Sequence, residues 1–420
     1  MTSVPQLRSL GDELMVRLDR LATFSSDPGA LTRLYLTPEH KAAADQVMLW
    51  MAEAGMETWI DAVGSVVGRY EGDRADAKTL LIGSHIDTVR DAGKYDGSLG
   101  VLTAIAAVQE LHACGERLPF AIEVLAFGDE EGVRFPSTLS GSRAIAGTFD
   151  GATLEARDVD GVRLADALHA FGGDLDAIAQ CWRDPAKTVG YIEVHIEQGP
   201  VLEARGVPLG VVTAINGASR ARIELTGKAG HAGTVPMVIR EDALAAAAEM
   251  VLAVEATANR FSDMVATVGE MAVSPGAINV IPGRVHFSID LRSPSDTDRA
   301  VALQGLRDYV TAIAARRRVA MQIDAIFESP SVNCDPRLIE ALADAVQAGG
   351  TPALRLPSGA GHDAMAVAAS LPVGMLFVRC RGGVSHHPTE AVTAGDAEVA
   401  IATLLRFLRS FDGRVFDGPS

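Results

Sequence analysis

Short apolar runs that end on histidine or carboxylate residues constrain how this chain can fold. Thr79-Leu80-Leu81-Ile82 leads into Gly83-Ser84-His85-Ile86-Asp87, Ala121–Phe127 leads into Gly128-Asp129-Glu130-Glu131, and Tyr191–Ile196 carries His195. Each run reads as a buried strand. The stretches between them, Ser98 to Ala113 for one, place apolar residues at helical spacing. Strands alternating with helices give an α/β fold with a mainly parallel, mixed sheet. Open sheets of this kind keep their ligands at the carboxyl edge of the strands. His85, Asp87 and, in the loop before the next helix, Asp96 would converge there.

Upstream, helices are expected over Pro5–Phe24 and Glu39–Ala54, the second opened by Thr37-Pro38-Glu39, with strands over Glu57–Tyr70 around a turn at Gly64. Between about residues 214 and 330 the order changes. A strand (Ala221–Thr226), an Ala-rich helix (Arg240–Ala258), strands at Met264–Val273 and Arg284–Leu291, a helix (Asp296–Arg316) and a strand (Val319–Phe327) follow one another. This β-α-β-β-α-β order is ferredoxin-like, an antiparallel sheet with both helices on one face. The chain then returns to alternation, with a helix at Pro336–Ala348, a strand at Val373–Val378 and a closing helix at Asp396–Phe411. The expected organisation is a first domain over residues 1–213 and 331–420 with residues 214–330 inserted as a second, α+β domain.

At 420 residues the chain can build two domains and a large core. A net charge of -17 argues against nucleic acid or an anionic membrane as partner. Cys114, Cys181, Cys334 and Cys380 show no paired spacing and read as free thiols of a reducing compartment. Met1–Arg20 lacks the apolar core of a signal peptide, and the Ala-rich Leu244–Val254 is too short to span a bilayer. A cytoplasmic enzyme fits these bounds.

Three adjacent carboxylates, Asp129, Glu130 and Glu131, repel one another, so such a run is either solvated or holds cations. His195 on an apolar strand is either a core histidine or a ligand. The Gly-rich loop Gly382-Gly383-Val384-Ser385-His386-His387 offers two neighbouring imidazoles, of which an extended loop would aim only one at a given point. His85, Asp96, Glu131, His195 and one of His386 or His387 then form two ligand sets if Asp96 bridges, a donor mixture suited to zinc or manganese. Two such ions, roughly 3.5–4 Å apart, polarise a carbonyl and supply a hydroxide. Glu130 would be the general base.

The stretches GSHIDTVRDAGKYDGSLG, FGDEEGVRFPSTLSGS, VHIEQGPVLE, GKAGHAGTVPM, NVIPGRV, SGAGHDAMA and GMLFVRCRGGVSHHP resemble the amidase, hydantoinase and carbamoylase group of the dinuclear-metal aminoacylase/carboxypeptidase family. The resemblance runs from about residue 30 to 410. It implies a metallopeptidase-like catalytic domain, with the insertion as lid and dimerisation domain. It makes Asp96 the bridging ligand between one ion held by His85 and His195 and another held by Glu131 and His386. The Ser385-His386 pair matches the family's ligand, so the resemblance selects His386. It gives Glu130 as general base and Asp87 as the residue that orients His85. It assigns substrate contacts to Gln198, Asn279 and Arg292, the last as carboxylate anchor, and to Asn216, His362 and the Gly359–Gly361 loop, including Gly361. His231 would reach across a homodimer to steady an oxyanion.

The implied reaction is hydrolysis of a ureido C–N bond in a small anionic substrate. Allantoate is favoured by Asp91-Ala92-Gly93-Lys94 and Tyr95–Gly100, and would give ureidoglycine, ammonia and carbon dioxide. N-carbamoyl amino acids, ureidopropionate, ureidoglycolate or a dipeptide are the competing substrates. A binding protein that kept the fold without catalysis is the alternative from another class.

Overall fold

The computed structural model describes residues 9–413. The chain divides into two compact units. The first comprises the described residues up to Thr213, Cys334–Leu356 and those from Gly361 onward; the second comprises Ala214–Asn333 with Pro357–Ala360.

Four strands at the centre of the first unit, Ala121–Phe127, Thr79–His85, Thr188–Ile196 and Val373–Val378, lie side by side in that order and parallel. Every residue in them is buried. Helices on both faces of a parallel sheet leave no solvated side, so such strands read as continuous apolar runs. Antiparallel strands complete the margins: Glu57–Ile60 and Val66–Tyr70 beyond Ala121–Phe127, and Leu209–Ile215 beyond Val373–Val378. The register sets His85 opposite Phe127 and His195 opposite Phe377. The carboxyl ends of the central strands therefore open onto one edge.

Helix Ser98–Ala113 packs on three of these strands, Thr79–His85 and Thr188–Ile196 foremost. Gly100 permits it: a Cβ there would stand 1.9 Å from the Val194 carbonyl oxygen. At the N-terminal side, the helix expected over Pro5–Phe24 runs Leu10–Ala22 and is capped by Ser9, which accepts from the Asp12 N–H; Pro5–Arg8 lie outside the described residues.

In the second unit, Met271–Ser274, Arg284–Ser293, Gly217–Thr226 and Ala320–Ser329 form an antiparallel sheet in that order, with Val265–Thr267 also on Arg284–Ser293. Helices Ala243–Ala258 and Asp296–Arg317 bury Met250, Val254, Leu306 and Val310 against Ile223, Leu225, Phe287 and Leu291. The expected strand Met264–Val273 is broken. Thr267 lies opposite Asp290 and Met271 opposite Phe287, so three residues face two and the ladder bulges at Val268-Gly269-Glu270. The helix expected from Arg240 starts at Ala243, because the Asp242 carboxylate accepts the Leu244 and Ala245 N–H groups and ends the preceding loop. Among the described residues no helix is long and apolar enough to cross a membrane.

Candidate metal and active centre

His85 closes its strand with Nδ1 3.0 Å from the Asp87 carbonyl oxygen, and His195 sets Nδ1 2.9 Å from the Ile196 carbonyl oxygen. A neutral imidazole bound to a carbonyl through Nδ1 carries its hydrogen there, which leaves Nε2 as a lone pair. The two Nε2 atoms are 3.5 Å apart, and Asp96 Oδ1 lies 3.4 Å from the first and 3.1 Å from the second. Three acceptors facing one point are stable only around a proton or a cation. Gly97, at φ 62°, allows the approach, since a Cβ there would come 2.5 Å from the His85 ring.

The other Asp96 oxygen, Oδ2, is 3.3 Å from His386 Nε2, which is 3.7 Å from Glu131 Oε2. Glu131 Oε1 is buried with no hydrogen-bond partner. In each of the sets His85, Asp96, His195 and Asp96, Glu131, His386, one ligand atom per residue lies within 4.8 Å of the others, and Asp96 is common to both. The unpaired Glu131 oxygen and the facing lone pairs suit a divalent ion. His386 reaches its place from a left-handed backbone (φ 55°) rather than the extended loop expected, while His387 turns back to Thr389, with Nδ1 2.8 Å from its hydroxyl.

The acidic run is divided among three tasks. Asp129, also left-handed at φ 68°, accepts the hydroxyls of Ser137 and Ser140, and burial pushes its carboxyl up to about 8. The next two backbone N–H groups, of Glu130 and Glu131, each point at an Asp87 oxygen 3.3 Å away. The Asp87 carboxylate also stands 3.7 Å from His85 Nδ1, beside the ring whose Nδ1 is bound to the Asp87 backbone carbonyl. Glu130 Oε2 lies 3.9 Å from His85 Nε2. Burial holds the Glu130 carboxyl well above the usual range, with Glu131, Asp363 and Asp87 adding to a rise that His85 opposes. Burial, with Asp96, likewise pushes Glu131 to about 7. Burial opposes charge on His85, yet Asp96, Glu130 and Asp87 outweigh it and raise its pKa.

Of the residues expected to touch substrate, Gln198 donates through Nε2 to Asp96 Oδ2 (2.9 Å) and Ser385 Oγ (3.0 Å). His362, just after Gly361, is buried with its ring edge-to-face on His195 at 4.5 Å; burial keeps its pKa well below the ordinary value. The remaining candidates belong to the second unit. Arg292 grips Asp290 through Nε (2.8 Å) and Nη2 (3.0 Å) and donates from Nη1 to the Gly359 carbonyl (2.7 Å). Asn279 accepts the Ala232 N–H at 2.9 Å, and Val280 pairs with His231, so Asn279 and His231 sit on neighbouring segments. The exposed His231 ring accepts the Gly233 N–H at Nδ1 (3.1 Å). Asn216 Oδ1 is buried without a partner.

Sequence reasoning passed over the buried carboxylates Glu193, Asp363 and Glu390 beside this centre. Glu193 accepts the Ser84 hydroxyl (3.0 Å) and the Ala364 N–H (2.9 Å); its place two residues before His195, on a strand buried throughout, was the available signal. Glu390, at the end of the second histidine loop, accepts the Tyr95 and Asp96 N–H groups at 2.9 and 3.1 Å. No local pattern announces that pairing.

The profile of peptidase family M20/M25/M40 matches residues 81–410. The chain is 42% identical to allantoate deiminase 1 of Glycine max over 97% of this chain and 90% of that protein. It is 41% identical to an N-carbamoyl-L-amino acid amidohydrolase of Geobacillus stearothermophilus, over 94% and 97% respectively. The crystal structure of an amidase of the hydantoinase/carbamoylase family from Burkholderia multivorans superposes with a TM-score of 0.91 at 36% identity, covering 96% of this chain and 98% of that one. With its histidine and carboxylate sets at the carboxyl edge of the sheet, the chain belongs to peptidase family M20/M25/M40.

Proposed function

We propose that this chain is a dinuclear-metal amidohydrolase that cleaves a ureido C–N bond of a small anionic substrate, allantoate in the first place. The observation that carries the reading is Asp96 shared between two ligand sets with the partly buried Glu130 carboxyl beside them. Two manganese or zinc ions held by His85, Asp96, His195, Glu131 and His386 would supply Lewis acidity toward the ureido carbonyl and lower the pKa of a water. Glu130 takes the proton from the attacking water and returns it to the leaving ammonia. Its raised proton affinity suits both halves of that exchange. Arg292, already in a fixed fork geometry on Asp290, anchors the substrate carboxylate, for which a guanidinium is better shaped than an ammonium. Asn279, Asn216, Gln198, Gly361 and His362 complete the contacts.

The second unit, Ala214–Asn333 with Pro357–Ala360 rather than the expected 214–330, serves as lid and dimerisation domain. The exposed His231 would act across a homodimer interface on the developing oxyanion. The acidic charge and the free Cys114, Cys181, Cys334 and Cys380 support a cytoplasmic setting without nucleic acid or membrane partners.

Allantoate is the name carried by relatives at up to 42% identity; hydrolysis of N-carbamoyl-L-amino acids is the second reading, favoured by the relative at 41%. Ammonia release by manganese-loaded and zinc-loaded enzyme decides between them, with allantoate, N-carbamoyl amino acids and ureidopropionate offered side by side. Preference for allantoate, lost in Glu130→Gln, is the expected result. Turnover of carbamoyl amino acids alone transfers the assignment to the second reading, and no turnover by metal-loaded enzyme refutes both.

A further inference from the structure

Glu390 is 4% exposed, and among the described residues no Lys or Arg pairs with it. A carboxylate buried without a cation costs several kcal/mol unless hydrogen bonds replace its water. Here one oxygen, Oε1, accepts two successive backbone N–H groups, those of Tyr95 and Asp96. The other, Oε2, is 3.2 Å from Ser385 Oγ. Ser385 sits between two carboxylates, since its Oγ is also 2.8 Å from Asp96 Oδ2. A hydroxyl has one hydrogen to give. Its lone pair is already engaged by Gln198 Nε2 at 3.0 Å, so Asp96 and Glu390 compete for that hydrogen. Once Asp96 commits its oxygens to cations, Glu390 is the acceptor left to hold Ser385, the residue before His386.

Two chain segments nearly 300 residues apart thus meet on a single side chain (separation 294 for Asp96). Gly93 belongs to the same arrangement, because a Cβ at that position would fall 2.3 Å from the Glu390 Cδ.

We propose that Glu390 is a positioning residue for the metal pair: it fixes the backbone of Asp96 and the hydroxyl of Ser385, and through them sets Asp96 and His386 at the spacing that two ions require. This rests on the two-ion reading given above. Partners one layer behind metal ligands typically change affinity about 10–100-fold when removed.

Cobalt(II) titration of the metal-free, full-length protein tests this, read by bound metal per chain and by the visible absorption of the bound cobalt. The wild type should bind two ions. Glu390→Ala should lose about 10–100-fold in affinity for one of them, with an altered absorption band. Glu390→Gln keeps a carbonyl oxygen for the two N–H groups but turns a donor toward Ser385, so it should fall between. Gly93→Ala, which crowds the carboxylate without removing it, should weaken the same ion in the wild-type background and add nothing to Glu390→Ala.

In all three variants kcat should fall further than KM rises, while in Glu390→Gln, which keeps an acceptor for the two N–H groups, the melting temperature of the metal-free protein stays near that of wild type. Unchanged affinity and spectrum in Glu390→Gln and Gly93→Ala, with metal-free melting lowered, would reduce Glu390 to a loop staple and overturn the proposal. Fewer than two ions bound by the wild type would instead overturn the dinuclear reading beneath it.

Discussion

The hydrogens on Nδ1 of His85 and His195 are committed to backbone carbonyls, so each ring can offer only Nε2 to the shared point beside Asp96. Among the described residues the Glu130 carboxyl makes no hydrogen bond of that kind, its Oε2 lying 3.9 Å from His85 Nε2, and in the proposed reaction it would handle the proton. Glu130→Gln preserves shape and removes basicity; kcat should drop on the order of 10²–10⁴-fold with bound metal unchanged, as measured by steady-state ammonia release alongside metal analysis. In the proposed reaction Arg292 would act on the substrate rather than on the reacting atoms. Arg292→Lys should raise KM on the order of tenfold or more and leave kcat within a few-fold, because an ammonium cannot span both oxygens of a carboxylate. An equal fall in kcat would instead place Arg292 in the transition state.

At the level of elements, the centre depends on how closely helix Ser98–Ala113 lies on the strand that carries His195. Gly100→Ala would set a methyl against the Val194 carbonyl, one residue from His195. The helix must shift, and a loss of about 1–3 kcal/mol in stability is expected in denaturant unfolding, with a reduced kcat from the displaced ligand. The central strands were legible in the sequence because they are buried on both faces, so hydrophobicity alone marks Ala121–Phe127 and Val373–Val378. His85, Asp96, Glu131, His195 and His386 were legible as chemistry-bearing residues at strand ends and in loops, though choosing His386 over His387 needed the family resemblance. Its left-handed backbone is set by the surrounding loop, and no pattern of side chains encodes it. The bulge at Val268–Glu270 escaped notice because an extra residue in a ladder shows only against its partner strand. Glu390 escaped for the same reason at longer range.

Across the whole molecule, the buried acids and imidazoles give the metal-free protein a directed response to pH. Burial pushes Asp129 to about 8 and Glu131 and Glu390 to about 7, above the ordinary carboxyl range. The folded state therefore keeps protons that the unfolded chain releases, and that advantage is lost as pH rises through those values. His85, His195 and His386 are raised as well, so their stabilisation is fully present below the ordinary imidazole pKa and is lost as pH rises through their raised folded-state values. The depressed His40 and His362 act below the ordinary imidazole value and do not oppose this slope. Metal-free protein should thus melt at a lower temperature at about pH 8.5 than at about pH 6.5 in calorimetry with a chelator present. A flat profile would mean that these groups do not hold their protons.

The second unit also bears on the order in which the chain assembles. Its ends are neighbours: Ala214 pairs with Asn333, and the Cys334 N–H bonds the Thr213 carbonyl at 3.0 Å. Bringing those points together from an open chain carries a loop-closure entropy that grows with the logarithm of the intervening length. If the insert has already condensed around Met250 and Phe287, its own ends are adjacent and that entropy no longer opposes the sheet of the first unit. Trp50, Trp59 and Trp182 all belong to the first unit, so tryptophan fluorescence does not see the insert directly. Met250→Ala, a change in the insert alone, should nonetheless slow the recovery of that fluorescence during refolding, making the smaller, silent unit the pacemaker of the one that glows.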